Sequence, residues 1–218
     1  MSDGRLVIGN KRYSSWSLRG WLAVNLAKLA VEEVVVPLAG TGATSAVRDA
    51  TPNGLVPYLE HRGARVWESL AIIEYCAEHA PGLWPAAPVP RAHARSVAAE
   101  MHAGFRELRM AMPFNAGREF PGARRTEGAL ADIARIEALW AECLAISGGP
   151  YLFGTNFGAV DAMFAPVVGR FLTWQPVLGS GSLAYMAAVR AHPLMQRWYE
   201  EALAEPSEWL LEKYENPA

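Results

Sequence analysis

The chain has 218 residues, 51% apolar and 19% charged, with 20 basic against 22 acidic side chains for a formal charge of −2. This composition suits one large or two small globular units with real interiors and excludes a disordered chain. The balanced charge, without a basic stripe, speaks against nucleic acid as a partner, and no apolar run approaches the roughly 18 residues that span a bilayer.

From Met-Ser-Asp-Gly-Arg the chain runs straight into a strand pattern, so a cytoplasmic protein without a membrane partner is expected. The first elements alternate between period two and period 3.6: a strand at 6–9, a helix at about 17–30, a strand at 33–38, a weak helix near 45–50, strands at 56–61 and 64–67, and a helix at 69–80. In the first helix Leu18, Trp21, Leu22, Asn25, Leu26 and Leu29 recur at three- and four-residue steps, an apolar face that packs on a sheet. His61-Arg62-Gly63-Ala64 reads as a tight hairpin, which makes the last two strands antiparallel and the four-stranded sheet mixed. Repeated prolines across 81–90, Pro-Gly-Leu-Trp-Pro-Ala-Ala-Pro-Val-Pro, remove donors and forbid helix continuation, which marks a linker between a unit at 1–80 and one at 91–218.

The second unit shows no convincing strand. Helical spacing fills 91–112, 126–147 and 158–174, with weaker helices at about 182–191 and 194–203, so this unit reads as a helical bundle. Cys76 and Cys143 fall in helical patterns without metal-ligand spacing; they read as buried thiols, and no metal site is expected. His61, His79, His93 and His192 likewise show no ligand spacing and read as surface residues, and Met110, Met112, Phe114, Met163, Phe164 and Trp174 as core. His102, Arg106 and Arg109 stand at three- and four-residue steps, one face of the first bundle helix, either solvated or turned toward an acidic ligand.

Three local motifs carry chemistry. Tyr13-Ser14-Ser15-Trp16-Ser17-Leu18-Arg19 stands where the first strand gives way to a helix. Hydroxyls at a helix start either cap the free N–H groups or point outward to hold an anion, and Ser17 occupies the place of an ordinary cap. Asn53-Gly54-Leu55-Val56-Pro57-Tyr58-Leu59 enters the third strand, and Trp67-Glu68-Ser69-Leu70-Ala71-Ile72 enters the third helix, where Ser69 is a cap or a carboxylate receptor. The loop Gly40-Thr41-Gly42-Ala43-Thr44 reads as flexible and lacks the lysine of a phosphate loop. In Phe153–Asp161, Asp161 caps back toward Gly158, a folding feature.

A small β-α-β-α-β-β-α unit followed by helices, with these motifs in this order, resembles the glutathione transferase family over nearly the whole chain. The Ser-Ser-Trp-Ser-Leu-Arg run is most similar to the zeta class, whose members include maleylacetoacetate isomerases. The resemblance implies a thioredoxin-like N-terminal domain that binds glutathione as co-substrate, a helical C-terminal domain that holds a small electrophile, and a homodimer. It assigns thiolate stabilisation to Ser14 or Ser15. It further implies a cis proline at Val56-Pro57, with the Val56 backbone pairing with the cysteinyl part of glutathione, and γ-glutamyl recognition by Glu68 and Ser69.

The chemistry is sufficient without a general base. Lowering a thiol pKa of about 8.5 by roughly two units needs about 2.7 kcal/mol of anion stabilisation. A hydroxyl bond to the charged sulfur supplies about 1.5–3 kcal/mol and a helix N-terminus about 0.3–1 kcal/mol more. Arg106 and Arg109 are candidates for attracting an acidic acceptor. Trp16 stands where the zeta pattern has cysteine, which counts against cysteine-type thiol chemistry; Glu68 replaces the usual glutamine, and Leu55 a frequent basic residue. The expectation is therefore a serine-type transferase, with a glutathione-dependent cis–trans isomerase or a non-catalytic glutathione-binding protein as the alternatives.

Overall fold

In β1 (Gly4–Gly9) the side chains alternate, so Leu6 and Ile8 enter the large core while Val7 joins a smaller cluster with Val36, Val47 and Tyr58 on the opposite face of the sheet. The computed structural model of the protein describes residues 2–39 and 44–217. β2 (Glu32–Val36) lies parallel to β1, with Val7 opposite Val34; β3 (Tyr58–His61) lies antiparallel on its other side, and β4 (Ala64–Trp67) closes the order β2-β1-β3-β4. The β3–β4 connection is the expected hairpin: Arg62 and Gly63 both have positive φ, 49° and 85°, as a two-residue turn between twisted strands demands.

Between β1 and β2 runs α1 (Ser15–Leu26), and α2 (Ser45–Ala50) and α3 (Ser69–His79) complete the first unit. α1 is buried nearly all round because it packs against both α3 and the bundle helix α7 (Ala159–Trp174). A single turn at Pro81–Leu83 leads into α4 (Pro88–Ala103), which starts inside the proline run because Pro88 and Pro90 occupy its first turn, where their missing N–H groups have no partner to lose. Then follow α5 (Arg106–Ala111), α6 (Glu127–Ser147), α8 (Ser180–Ala191), α9 (Pro193–Leu203) and the short α10 (Glu212–Glu215). The result is a thioredoxin-like unit with a mixed sheet, followed by an all-helical unit, as expected. Among the described residues no helix is long and apolar enough to cross a membrane.

The first bundle segment differs from its reading as one helix over 91–112. Gly104 ends α4 and Phe105 adopts a left-handed φ of 60°, so His102, on α4, does not share a helix face with Arg106 and Arg109 on α5. Met110 is 68% exposed rather than core, since Leu108 faces inward on this short helix. His61, read as a surface residue, is buried, its Nδ1 bonded to the Tyr75 hydroxyl at 2.8 Å. Asp161 caps back as expected, Oδ2 accepting from Gly158 N at 2.9 Å. Cys76 and Cys143 are buried free thiols, and burial pushes both up to about 12, leaving them protonated and unreactive.

The β1–α1 loop ties the two units together. The Lys11 ammonium, nearly buried, pairs with Glu33 of β2 and Glu201 of α9 and lies 5.3 and 5.6 Å from the rings of Trp21 and Trp198. This fixes the loop that carries the serine cluster.

Candidate active site

The serine cluster sorts itself by what each hydroxyl bonds. Ser14, with φ −85° and ψ 86°, is the residue that caps α1: its Oγ accepts from Ser17 N at 3.4 Å. Ser17, expected at the cap, is instead the third residue of the helix and fully buried. Its Oγ accepts from Gly9 N at 2.9 Å and from the Ser14 hydroxyl at 2.7 Å. The reason is the buried N–H at the end of β1, which needs an acceptor where water has no access. Ser14 and Ser15, 6% and 8% exposed, line a cavity of about 360 Å³ between the first unit and the bundle. Ser15 Oγ accepts from Arg170 Nη2 at 3.2 Å.

A second cavity of about 240 Å³ adjoins the first, sharing Trp16, Leu55 and Val56 with it. Pro57, Glu68 and Ser69 form its inner side. The Val56-Pro57 peptide is cis, and Val56 lies outside the ladder that begins at Tyr58, so the sheet leaves its backbone for another partner. Gly20 of α1 presses against this proline: a Cβ there would come within 2.8 Å of Pro57 Cγ. Glu68 holds a left-handed φ of 69° at the entry to α3, a conformation that concentrates at functional sites. Its carboxylate stands 3.7 Å from His102 Nε2. Ser69 is 1% exposed, and its hydroxyl has no partner among the described residues.

Trp16 divides the two cavities. The Arg19 and Arg109 guanidinium carbons lie 4.5 and 4.8 Å from its ring centre, and the His102 ring meets its edge at 5.4 Å. Arg19 is fully buried; its Nε donates to Met163 O at 2.9 Å and both terminal nitrogens lack partners among the described residues. Arg109 donates to the carbonyls of Gly104, at 3.0 Å, and Met101. Burial, and then the repulsion of neighbouring guanidiniums, drives Arg19 well below its ordinary value and Arg170 down to about 9; burial also lowers Arg109 and His102. The far wall is apolar, with Pro113, Phe114 and the Tyr214 ring, which packs on Tyr13 at 5.3 Å.

The structure thus brings Ser14, Ser15, Val56 and Arg109 to one cavity and Val56, Pro57, Glu68 and Ser69 to its neighbour. Arg106 is exposed and lines neither of them, because the break at Gly104-Phe105 turns it away. Of the loop at 40–44, residues 40–43 lie outside the described residues, while Thr44 lines the larger cavity and accepts from Ala39 N at 3.0 Å. Sequence reasoning missed Arg19 and Arg170. Both carried a signal: Arg19 is the one charged residue in α1, and Arg170 shares the apolar run of α7 with Asp161 alone. No group of three His, Cys, Asp or Glu side chains able to hold a metal occurs among the described residues.

Residues 13–79 match the family pattern described as glutathione S-transferase, N-terminal domain, and residues 91–201 match the pattern of the C-terminal domain. A probable maleylacetoacetate isomerase of Caenorhabditis elegans is 34% identical over 110 residues, 50% of this chain and 51% of that protein, so the match spans about half that relative's length. A probable glutathione S-transferase of Oryza sativa subsp. japonica is 28% identical over 173 residues, 76% of this chain and 72% of that protein. Among solved structures, a theta class glutathione S-transferase of Xanthomonas axonopodis pv. citri with glutathione bound is similar at a TM-score of 0.66 and 26% identity, over 91% of this chain and 98% of that one. With both halves matched in order and the fold shared nearly end to end, the chain belongs to the glutathione S-transferase family.

Proposed function

We propose that the protein is a serine-type glutathione transferase, acting in the cytoplasm as a homodimer, with residues 1–80 binding glutathione, 81–90 as linker and 91–218 contributing the acceptor site. The observation that carries this reading is the adjacency of the two cavities, which share Trp16, Leu55 and Val56. An unpartnered, buried Ser69 hydroxyl at the start of α3 fits a carboxylate at one end, and two hydroxyls at the start of α1 fit an anion at the other. Glutathione carries both groups, a γ-glutamyl carboxylate and the sulfur of the next residue. Ser69 and the free N–H groups of α3 receive the carboxylate, Glu68 the ammonium, and Val56 pairs strand-like with the cysteinyl backbone.

Ser14 then supplies the main bond to sulfur. Its Oγ already accepts from Ser17 N, and reversing the 2.7 Å Ser14–Ser17 bond frees its O–H for the thiolate while Ser17 keeps Gly9 satisfied. The α1 dipole adds to this. The sulfur attacks an electrophilic carbon held against Phe114 and Tyr214; a carbon–sulfur bond forms, and the acceptor's leaving group departs or its neighbouring carbon takes up a proton. Holding both reactants in one cavity supplies much of the rate.

The test is retention on immobilised glutathione followed by mass detection of an S-conjugate with an activated aryl halide and with an α,β-unsaturated carbonyl. Retention with turnover of either supports the reading, and failure to retain glutathione refutes it. A second reading, glutathione-dependent cis–trans isomerisation, is favoured by the likeness to a probable maleylacetoacetate isomerase and by the arginines at the larger cavity. It predicts turnover of a cis-unsaturated diacid with glutathione regenerated rather than consumed.

A further inference from the structure

Arg170 is a cation that no carboxylate among the described residues neutralises. It stands on α7, 5% exposed, at the inner wall of the larger cavity. Nη2 donates to Ser15 Oγ at 3.2 Å, Nη1 to the Pro166 carbonyl at 3.4 Å, and Nε has no partner among the described residues. No carboxylate lies within ion-pair distance of it among those residues. The charged and titratable groups that face it are Arg109 from α5, Arg19 from α1 and Tyr214 from α10, two of them cations. A guanidinium desolvated beside two others destabilises the fold, and a protein has no structural reason to keep it where an apolar side chain of similar volume would fit. An anion arriving in the cavity offsets that penalty.

The Ser15 hydroxyl indicates where the anion goes. A hydroxyl has one donor and two lone pairs, and the Arg170 N–H occupies one lone pair. The Ser15 proton has no acceptor among the described residues, and the side left open is the cavity. An anion accepting that proton sits within about 4–6 Å of the guanidinium, close enough for an opposite charge to lower a pKa by about 1–3 units.

We infer that Arg170 is a positioning residue for the glutathione thiolate: through Ser15 it aims a second hydroxyl at the sulfur, and through its charge it stabilises the anion, so that the helical unit takes part in acidifying a thiol held by the first. This rests on the proposed glutathione chemistry and adds to it a residue outside the serine motif.

The test compares the full-length wild type with Arg170→Met, Arg170→Gln and Arg170→Lys, measuring the thiolate absorbance of bound glutathione against pH and the thermal midpoint of the free protein. In both neutral variants the bound thiol titrates about 1–2 units higher than in wild type, whereas Arg170→Lys, which keeps the charge, stays within about 0.5 unit. The thermal midpoint of Arg170→Met equals or exceeds that of wild type, an outcome a merely structural arginine does not give. Neutral variants that titrate like wild type overturn the inference, as does a variant whose thiol is unchanged but whose KM rises only for acceptors bearing a carboxylate. If neither neutral variant folds, the expected thermal midpoint fails and the inference is overturned, because the arginine then holds the structure itself. An ordinary thiol pKa in wild type itself removes the underlying reading instead, and is thereby distinguished from failure at Arg170 alone.

Discussion

Neutralising Glu215 loosens the segment that closes the cavity, by an amount that depends on pH. The carboxylate is 12% exposed and accepts from Arg12 Nε and Nη2, both at 2.8 Å, from the Tyr13 hydroxyl at 2.6 Å and from Asn115 Nδ2 at 3.2 Å. Burial alone would raise its pKa; the bonds from Arg12 and Tyr13 and the Arg12 charge outweigh burial and bring it down to about 2. Against an unfolded value of about 4.3, this is roughly 2 units, or about 3 kcal/mol counted once for the pair. The folded pKa is the lower one, so the contribution is complete above about pH 5 and disappears as pH falls from about 4.3 toward 2. Urea unfolding followed by tryptophan fluorescence at pH 7, 5, 4 and 3 measures it in wild type and Glu215→Gln. The stability gap is expected to be about 3 kcal/mol at pH 7 and to narrow steadily below pH 4. A gap that stays constant from pH 7 to pH 3, or that never reaches 1 kcal/mol, refutes the reasoning. Because Tyr214 is the neighbouring residue and lines the cavity, the same variant is expected to admit bulkier acceptors at higher KM for small ones.

Three further outcomes follow from contacts on the inner side of the molecule. Gly20→Ala drives a methyl into the Pro57 ring and displaces Val56, so it destabilises by about 1–3 kcal/mol and weakens glutathione binding in isothermal titration. Asp161→Ala strips the partner from the N–H groups of Gly158 and Leu152 and from the Tyr185 hydroxyl, all within 3.1 Å of a carboxylate 1% exposed, and lowers stability by about 3–5 kcal/mol in urea unfolding without a specific change in thiol pKa. Ser69→Ala raises the glutathione dissociation constant by about 10–100-fold, while the thermal midpoint does not fall, because its hydroxyl has no bond to lose among the described residues.

Much of the architecture was legible because short-range signals and tertiary packing agree. The period-two run at Ala64–Trp67, the Arg62-Gly63 turn and the start of α3 at Ser69 appear where the residue pattern puts them. The long apolar run of α7 also stands as read, because a helix buried on most sides need not be amphipathic. The failures share a cause, which is that burial by distant segments is invisible to local periodicity. Ser17 is drawn from cap to buried linker by Gly9, across a strand-to-helix turn. Phe105 breaks a pattern that reads as one helix, and Arg106 leaves the cavity with it. Arg19 and Arg170, polar on any hydropathy scale, lie inside because two units close over them. The Arg12–Glu215 pair joins residues 203 positions apart and leaves no trace in either local motif.

The absorbance titration of bound glutathione in wild type, Ser14→Ala and Ser15→Ala measures directly the sulfur anion held by the hydroxyls that open α1. The wild-type thiol is expected to be half-ionised at pH ~6.5, about 2 units below the free value, with an upward displacement of about 1–2 units in Ser14→Ala and a smaller one in Ser15→Ala. A wild-type thiol that ionises near its free value, or serine variants that titrate on the wild-type curve, contradicts a role for these hydroxyls in holding the anion.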